Sequence, residues 1–436
     1  MGILENANAI PTAAGAGDFY DYQIANSCRF NRASSDYLSR TIQTGGDLDK
    51  WTVSFWVKLT ASAGFGSNQY HVLTSKLSSP YDTIMFDVNA ASQLYYQISN
   101  YYFTGAHSIR DPSAWYHVVI VFDSENGTPA HRKRVWFNNV EDTGSDVQTY
   151  PQNLDSKINS NSEHYIGARQ DANAAYFMDG YFADFIFVDA QAYAPTYFGE
   201  EKNGVWIPKD YKTDTGEYGT TGYHLDFANS AALGNDVSGN DNDWTTNNIV
   251  ASDQMLDSPT FDGSSNGGNF CTANSVYRGD NTTDAQYGLL SEGNLTHGAN
   301  GSANGGIACT HLVPPSGKWY FEWRIDSGGG SSSYSPAMAI MDPNVYTFET
   351  ADVNRPGLIA YDNAQNKVYK NSSVVGTYSG ARGSDDEVMG IAVDMDNGAF
   401  YVRRDGTYQT ISGGDQGDPE SGASRTGAGA TWTPAL

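Results

Sequence analysis

Trp115-Tyr-His-Val-Val-Ile-Val-Phe-Asp123, a polar break, and then Arg134-Val-Trp-Phe-Asn-Asn-Val140 form the stretch that decides the fold. Its first nine residues are rich in β-branched and aromatic types, too short a run for an ordinary helix and suited to a strand. The break Ser124–Lys133 holds Asn126-Gly127 and Pro129, which stop the strand and let the chain return. Asn138-Asn139 offers a second turn, because Asn tolerates the left-handed backbone that a tight turn needs. Apolar residues fall on both faces of Val118–Phe122, so this strand is expected inside a sandwich with neighbours on either side.

Composition bounds the rest. A chain of 436 residues has room for two or three domains with cores of their own. Fifty acidic residues against 25 basic give a net charge of −25, which opposes attraction to nucleic acid or anionic lipid and favours solubility. Forty-six Gly, 29 Tyr and 19 Phe fit an all-β protein with many turns. No basic residue precedes Arg29 and no long apolar run is present, so neither a signal peptide nor a membrane helix is expected. Met1-Gly2 invites a myristoylation reading, but Asn6 stands where that motif wants Ser or Thr. Cys28, Cys271 and Cys309 are odd in number and widely spaced, which fits assembly in a reducing cytoplasm rather than a disulfide framework or a zinc site.

Residues 1–24 are small and polar, with a flexible run at Ala13–Gly17, and read as an arm that anchors the chain to a partner. Ile3, Leu4 and Ile10 are too sparse to build a core; Phe19, Tyr20 and Tyr22 are its candidate anchors. Strands begin at Cys28. Trp51–Leu59 alternates, placing Trp51, Val53, Phe55, Val57 and Leu59 on one face and Thr52, Ser54, Trp56 and Lys58 outward. His71–Ser75, Ile84–Val88, Leu94–Ile98, Tyr165–Ala168 and Tyr176–Val188 read as further strands. Trp51, Phe55, Val119, Val121, Phe185 and Phe187 are assigned to the first core.

Several of these runs carry a resemblance. Arg29-Phe30, Tyr37-Leu-Ser-Arg40 and Trp51-Thr-Val-Ser-Phe-Trp-Val-Lys58 resemble the opening of a laminin-G-like, concanavalin-A-type jelly roll. Asp111–Val119 and Asp179-Gly-Tyr-Phe-Ala-Asp-Phe185 look like its middle and last strands, so the resemblance covers 25–200. Its wording, continued in Phe198-Gly199 and Gly204-Val-Trp-Ile-Pro-Lys209, is similar to virion proteins of tailed marine bacteriophages. Residues 201–284 read as a connector partly packed on this first sandwich, with Asp262–Asn269 rich in Gly, Ser and Asn.

A second β domain is placed at 285–436. Lys318–Asp326 alternates with Trp319, Phe321, Trp323 and Ile325 on one face, and Gly357–Asp362 is a further strand. Val388–Met395 turns at Asp396-Asn397-Gly398 into Ala399–Arg403 and turns again at Asp405-Gly406, both strong hairpin patterns. Trp319, Phe321, Ile391 and Val393 are its expected core. With Leu289–Leu295 these runs resemble a SPRY-type sandwich, a binding fold, although the chain stops at Trp432–Leu436 where a closing strand would follow. The fold class expected is thus all-β: two antiparallel jelly-roll-like sandwiches joined by a Gly/Ser/Asn-rich connector.

A search for chemistry assigns no catalytic residue. Glucanases on concanavalin-type sandwiches carry acids at alternate positions of one strand. Here Glu322 and Asp326 flank Arg324, a charge-balanced solvated face, and Asp385-Asp386-Glu387 lies in a turn. The eight His show no metal-ligand spacing, and no phosphate-cradling Gly motif is present. His131-Arg-Lys-Arg134 reads as a solubilising loop near acids rather than a nucleic-acid contact. Calcium is the one cofactor weighed: Asp236, Asn240, Asp241, Asn242 and Asp243 form the densest oxygen cluster, without EF-hand spacing, and no metal ligand is assigned.

Tyr95-Tyr96 and Tyr101-Tyr102-Phe103 are more informative, because neighbours on a strand face opposite ways and one of each pair must leave the core. Outward tyrosines stack on sugar rings, fill a subunit interface or lie beneath a second layer or the connector, and interface or cover is favoured over a glycan groove. The resemblances imply a non-enzymatic virion structural protein, a fibre, knob or decoration subunit, assembled in the host cytoplasm as a homo-oligomer among other virion proteins. The alternatives are a dedicated receptor- or carbohydrate-binding module and, less favoured, a polysaccharide-degrading glycoside hydrolase.

Overall fold

The structure is a computed structural model of the chain. It describes residues 19–60, 69–75, 82–87, 93–169, 176–214, 217–261, 267–278, 289–298, 307–327, 337–341, 358–370, 372–378, 383–396 and 398–409. Ile3, Leu4, Ile10, Ala13–Gly17, Gly357, Asn397, Trp432–Leu436 and part of Asp262–Asn269 lie outside the described residues. The chain divides into two compact units: Met1–Val276 with Leu289–Gly298, and Tyr277–Gly288 with Ala299–Leu436.

In chain order the first unit opens with β1 (Ser27–Phe30), β2 (Tyr37–Thr41), β3 (Lys50–Leu59), β4 (Gln69–Ser75), β5 (Thr83–Asp87) and β6 (Gln93–Ile98). There follow β7 (Tyr101–Ser108), β8 (Tyr116–Asp123), β9 (Lys133–Phe137), β10 (Val140–Glu141), β11 (Ser145–Asp146) and β12 (Glu163–Ile166). The last are β13 (Gly180–Asp189), β14 (Gly199–Lys202), β15 (Val205–Pro208), β16 (Tyr223–Leu225), β17 (Thr245–Asn247) and β18 (Gln254–Met255). One eight-stranded sheet runs β10-β9-β8-β3-β13-β1-β18, with β16 also on β13; the other runs β11-β7-β6-β5-β4-β12-β2-β17. The pairs within both sheets are antiparallel. The Asn138-Asn139 turn expected from sequence joins β9 to β10, both residues at positive φ, 44° and 65°.

The inner faces of the two sheets share one core. Trp51, Val53, Phe55, Val57 and Leu59 of β3 lie in it with Tyr70, Phe86, Tyr96, Val118, Ile120 and Phe122. Phe55 stacks on Phe185 at 5.2 Å, and Trp51 meets Phe187 at 5.8 Å and Tyr96 at 6.2 Å. Two expectations are corrected here. Val119 and Val121 are buried on the opposite face of β8, with Trp136, Ile186 and Phe198, because Val118, Ile120 and Phe122 take the inner positions. The "outward" Thr52, Ser54, Trp56 and Lys58 are all buried, so the first sheet is covered on both faces.

That cover comes from distant chain. Ile24, Trp115, Tyr181 and Ala183 cluster with Trp56, flanked by Tyr22 and Trp206. Residues 22–24, expected in an arm that anchors the chain to a partner rather than in the first sandwich, pack on the first unit, with Ile24 N–H donating to Thr260 Oγ1 at 2.9 Å. The connector does likewise: β16 extends the first sheet and β17 the second. The hairpin β20 (Leu289–Ser291) and β21 (Thr296–Gly298), reached after β19 (Ala273–Arg278), also belongs to this unit. There the Arg29 guanidinium pairs with Glu292 at 2.7 Å and Tyr181 donates to Gly293 O at 2.6 Å.

The second unit contains β22 (Ile307–Cys309), β23 (Lys318–Arg324), β24 (Ala337–Met341), β25 (Leu358–Asp362) and β26 (Lys367–Lys370). It continues with β27 (Ser373–Thr377), β28 (Val388–Asp394), β29 (Ala399–Arg404) and β30 (Thr407–Tyr408). Two four-stranded sheets, β23-β28-β29-β30 and β24-β25-β26-β27, bury one core around Ile359, Val368, Met389, Ile391 and Val393. Trp319 and Phe321 pack against this core but stay partly buried, a milder placement than the sequence predicts. Asp405 and Gly406, at φ 40° and 81°, make the expected turn between β29 and β30. Both units are all-β antiparallel constructions; the described residues hold one single-turn α-helix, Tyr211–Asp214.

Candidate functional site

The described residues hold two clusters with chemistry in them, one on the outer face of each large sheet of the first unit. The cluster on the first sheet is buried. A bulge in β13 between Ala183 and Ile186 puts Asp184 at φ 49°. The Asp184 carboxylate takes a hydrogen bond from Tyr22 Oη at 3.0 Å and pairs with His224 Nε2. Burial opposes a charged His224, yet Asp184, by charge and hydrogen bond, carries its pKa above the ordinary value. Alongside, Ser54 Oγ lies 2.8 Å from His117 Nε2.

The Ser54–His117 contact has the separation of a nucleophile and its base, but the tautomer is wrong for that task. Trp206 Nε1 donates to His117 Nδ1 at 2.9 Å, and an indole nitrogen only donates. His117 Nδ1 is therefore the acceptor, and Nε2 carries the proton towards Ser54. The ring is also sandwiched between Trp56 and Trp206, at 4.9 and 6.0 Å. Burial drives its pKa down to about 3 and that of His164 down to about 4. This pair holds the cover on the sheet.

Those two imidazoles make the fold acid-sensitive. The unfolded chain protonates near pH 6.5, whereas the folded rings stay neutral far below it, so their contribution is whole above that pH and is lost as pH falls. Buried Asp36 and Asp179, pushed up to about 6 and about 7, act in the opposite sense and lose stability as pH rises through those values. His117→Gln isolates the first effect. Its stability deficit against the parent is expected to narrow as pH is lowered from neutral towards about 4, the range in which the parent's rings resist protonation; denaturant melts at several pH values measure it, and a constant deficit would contradict the assignment.

The sites singled out in the sequence are placed as follows. Asp236 accepts four hydrogen bonds of 2.8–2.9 Å, from the backbone of His224, Ser238 and Asn242 and from the Ser238 hydroxyl. Asp243 caps Asp236 N–H, Asn240 and Asn242 donate to Gly222 O, and Arg40 donates to Asn242. These oxygens clasp a turn, and a cation there would have to displace the hydrogen bonds that shape it. Among the described residues no group of three or more His, Cys, Asp or Glu could hold a metal ion.

The basic run is tied down by groups of its own chain. Arg132 donates to Asn126 O and Tyr150 O, Lys133 sits 3.3 Å from the Phe103 ring centroid and 3.1 Å from Asp146, and Arg134 grips Glu141 with two bonds of 2.7 Å. Arg324 pairs with Asp326 at 2.7 Å, and Arg403 stands 3.8 Å from Glu322, the balanced surface expected there. Glu387 of the Asp385-Asp386-Glu387 turn pairs with Arg404.

The second cluster faces solvent. On β6 and β7, Tyr96 and Phe103 are fully buried while Tyr95 and Tyr102 are partly exposed, their rings 5.9 Å apart. The strand register surrounds them with hydrogen-bonding groups. Met85 lies opposite Tyr95, Thr104 opposite Tyr95 on the other side, Gln97 opposite Tyr102, and Asp87 opposite Gln93. Sequence reasoning found the tyrosines but passed over Gln93, Gln97 and Asp87. The period-two pattern of Gln93-Leu-Tyr-Tyr-Gln97 already put both amides on the face of Tyr95. Gln97 is buried and its amide donates to Ser99 O at 2.9 Å, while Gln93, Thr104 and Asp87 are partly exposed; with the two rings these three form a shallow surface that can stack a flat apolar face and hydrogen-bond its rim.

Residues 32–191 match the family model described as the concanavalin A-like lectin/glucanases superfamily, so this stretch is a laminin-G-like, concanavalin A-like domain. Among curated proteins none matches the chain. Similar solved structures include a native heptameric SAP-like pentraxin from Limulus polyphemus, 18% identical over 40% of this chain and 80% of that one, with a TM-score of 0.30. A putative carbohydrate binding protein from Bacteroides ovatus is 13% identical over 52% of this chain and 59% of that one, TM-score 0.37. Domains LG4-5 of the mouse laminin alpha1 chain are 9% identical over 92% of this chain and 80% of that one, TM-score 0.32.

Proposed function

We propose that this chain uses its concanavalin A-like domain as a non-enzymatic glycan-binding module, within a structural subunit of a tailed-phage virion. The observation that carries the binding role is the solvent-facing pair Tyr95 and Tyr102 on a sheet whose other face is closed by the core. A sugar ring presents one apolar face of C–H groups and a rim of hydroxyls, and the tyrosines with the partly exposed Gln93 and Thr104 match both. The virion role, as fibre, knob or decoration subunit among other virion proteins, is supported by the wording of Phe198-Gly199 and Gly204–Lys209. The SPRY-like reading of the second unit, a binding fold, fits the same role. The reading needs no metal or other cofactor. Homo-oligomerisation and assembly in the host cytoplasm belong to it.

Two measurements test it. Tyr95→Ala and Tyr102→Ala are each expected to weaken glycan binding at least about tenfold, about 1.4 kcal/mol, while moving stability by no more than about 0.5 kcal/mol, as surface changes do. Unchanged affinity in both variants would count against this face. Binding without release of reducing sugar separates the module from a glycoside hydrolase, and mass spectrometry of purified particles tests the virion role.

A further inference from the structure

Lys58 of β3 is a buried nucleophile with an acyl group beside it. Its side chain has no exposed surface, and its nitrogen lies 2.8 Å from Asn269 Oδ1, 2.8 Å from Asp257 Oδ2 and 3.0 Å from Phe270 O. The Asn269 amide is also held at its other end, where Nδ2 donates to Ser113 O at 2.6 Å. The amide carbon is one C=O bond, about 1.2 Å, beyond Oδ1, and so within about 4 Å of the Lys58 nitrogen. Asp257 is pinned as well: Trp115 Nε1 donates to its second oxygen at 2.8 Å. The centre of the Tyr181 ring lies 6.0 Å from the Lys58 nitrogen, so the amine, the acid and the amide meet among aromatic rings.

An amine attacks a carbonyl carbon only after losing its extra proton, and this site supplies the way to lose it. Holding two charges out of water is costly, and a proton passed from Lys58 to Asp257 across 2.8 Å cancels both. Burial already raises the Asp257 pKa against the pull of Lys58, which favours that transfer. We infer that Lys58 and Asn269 join in an isopeptide bond after the chain has folded, with Asp257 carrying the protons. Lys58 Nζ bonds to Asn269 Cγ, the Cγ–Nδ2 bond breaks, and Nδ2 leaves as ammonia. The ammonium gives up two protons: one completes the ammonia, and the other stays on Asp257, which ends as a neutral acid. No further reactant is needed. The two residues stand 211 positions apart, so the bond ties β3 to the chain that covers its outer face and closes a long loop.

The test is mass spectrometry of the full chain, intact and after protease digestion, fresh from folding and after incubation at neutral pH. The parent is expected to become lighter by one ammonia, and its digest to yield a branched peptide joining Lys58 to Asn269. Lys58→Arg, Asn269→Ala and Asp257→Asn each remove one participant and are expected to give no branched peptide. Asn269→Ala keeps the buried ion pair, so it serves as the control if the other two variants fail to fold. A parent that keeps its full mass overturns the inference. So does ammonia lost without the branched peptide, the mark of succinimide formation at an Asn-Gly pair such as Asn126-Gly127. A branched peptide that persists in Asp257→Asn overturns the role given to Asp257.

Discussion

Phe55→Ala is expected to destabilise the first unit by about 3–5 kcal/mol, the range for deleting a buried Phe side chain. The ring is fully buried, stacked on Phe185 and edge-on to Phe182 at 5.6 Å. Phe182 and Phe185 lie on the neighbouring strand, so neither can follow a collapsing Ala without breaking the ladder between β3 and β13. The cavity therefore stays open and the loss should sit near the upper end. Thermal or denaturant unfolding measures it, and an unchanged midpoint would show that β3 presents its other face to the core.

Lys58→Met should cost as much, by a different route. Lys58 is fully buried, and its three donors are all used: Asp257 at 2.8 Å, Asn269 Oδ1 at 2.8 Å and Phe270 O at 3.0 Å. Trp115 Nε1 donates to the other oxygen of Asp257 at 2.8 Å. Removing the ammonium leaves a buried carboxylate without its counter-charge, a loss of about 3–5 kcal/mol. Burial already raises the Asp257 pKa against the pull of Lys58, and the variant should raise it further. An acid whose folded pKa is raised loses stability as pH rises, so the deficit should be larger in mild alkali than in mild acid. Adding Asp257→Asn should recover at least half of it. A deficit independent of pH, with no recovery in the double variant, would mean that the ion pair is not the cause.

The sequence exposes what local pattern can carry. Trp51, Phe55, Val118 and Phe122 announced a strand pair, and Asn138-Asn139 and Asp405-Gly406 announced their turns, because alternation and left-handed backbone are properties of neighbouring residues. It conceals what the cover does. Thr52, Ser54 and Lys58 read as outward because polar residues at alternate positions normally meet water, and the partners that bury them lie far along the chain. Asp257 is 199 residues from Lys58, and His117 is 63 residues from Ser54. Burial of a polar face depends on partners that period-two reasoning does not see. The candidate site was half legible for the same reason: Tyr95 and Tyr102 stood out by crowding, whereas Asp87 joined them only through the pairing of β5 with β6.

The internal pairing of Arg132, Lys133 and Arg134 bears on how copies of this protein meet. Each is matched by carbonyls, acids or rings of its own chain, so the run offers no ready counter-charge to a neighbour. Two molecules of net charge −25 approach each other as like ions, and dilute buffer holds them apart. Self-association should thus strengthen as ionic strength rises, the reverse of a complex held by interchain ion pairs, and solubility should be poorest near the isoelectric point of about 4.4. Sedimentation across a salt series would read that dependence directly, with a multimer that melts away in added salt as the opposing result.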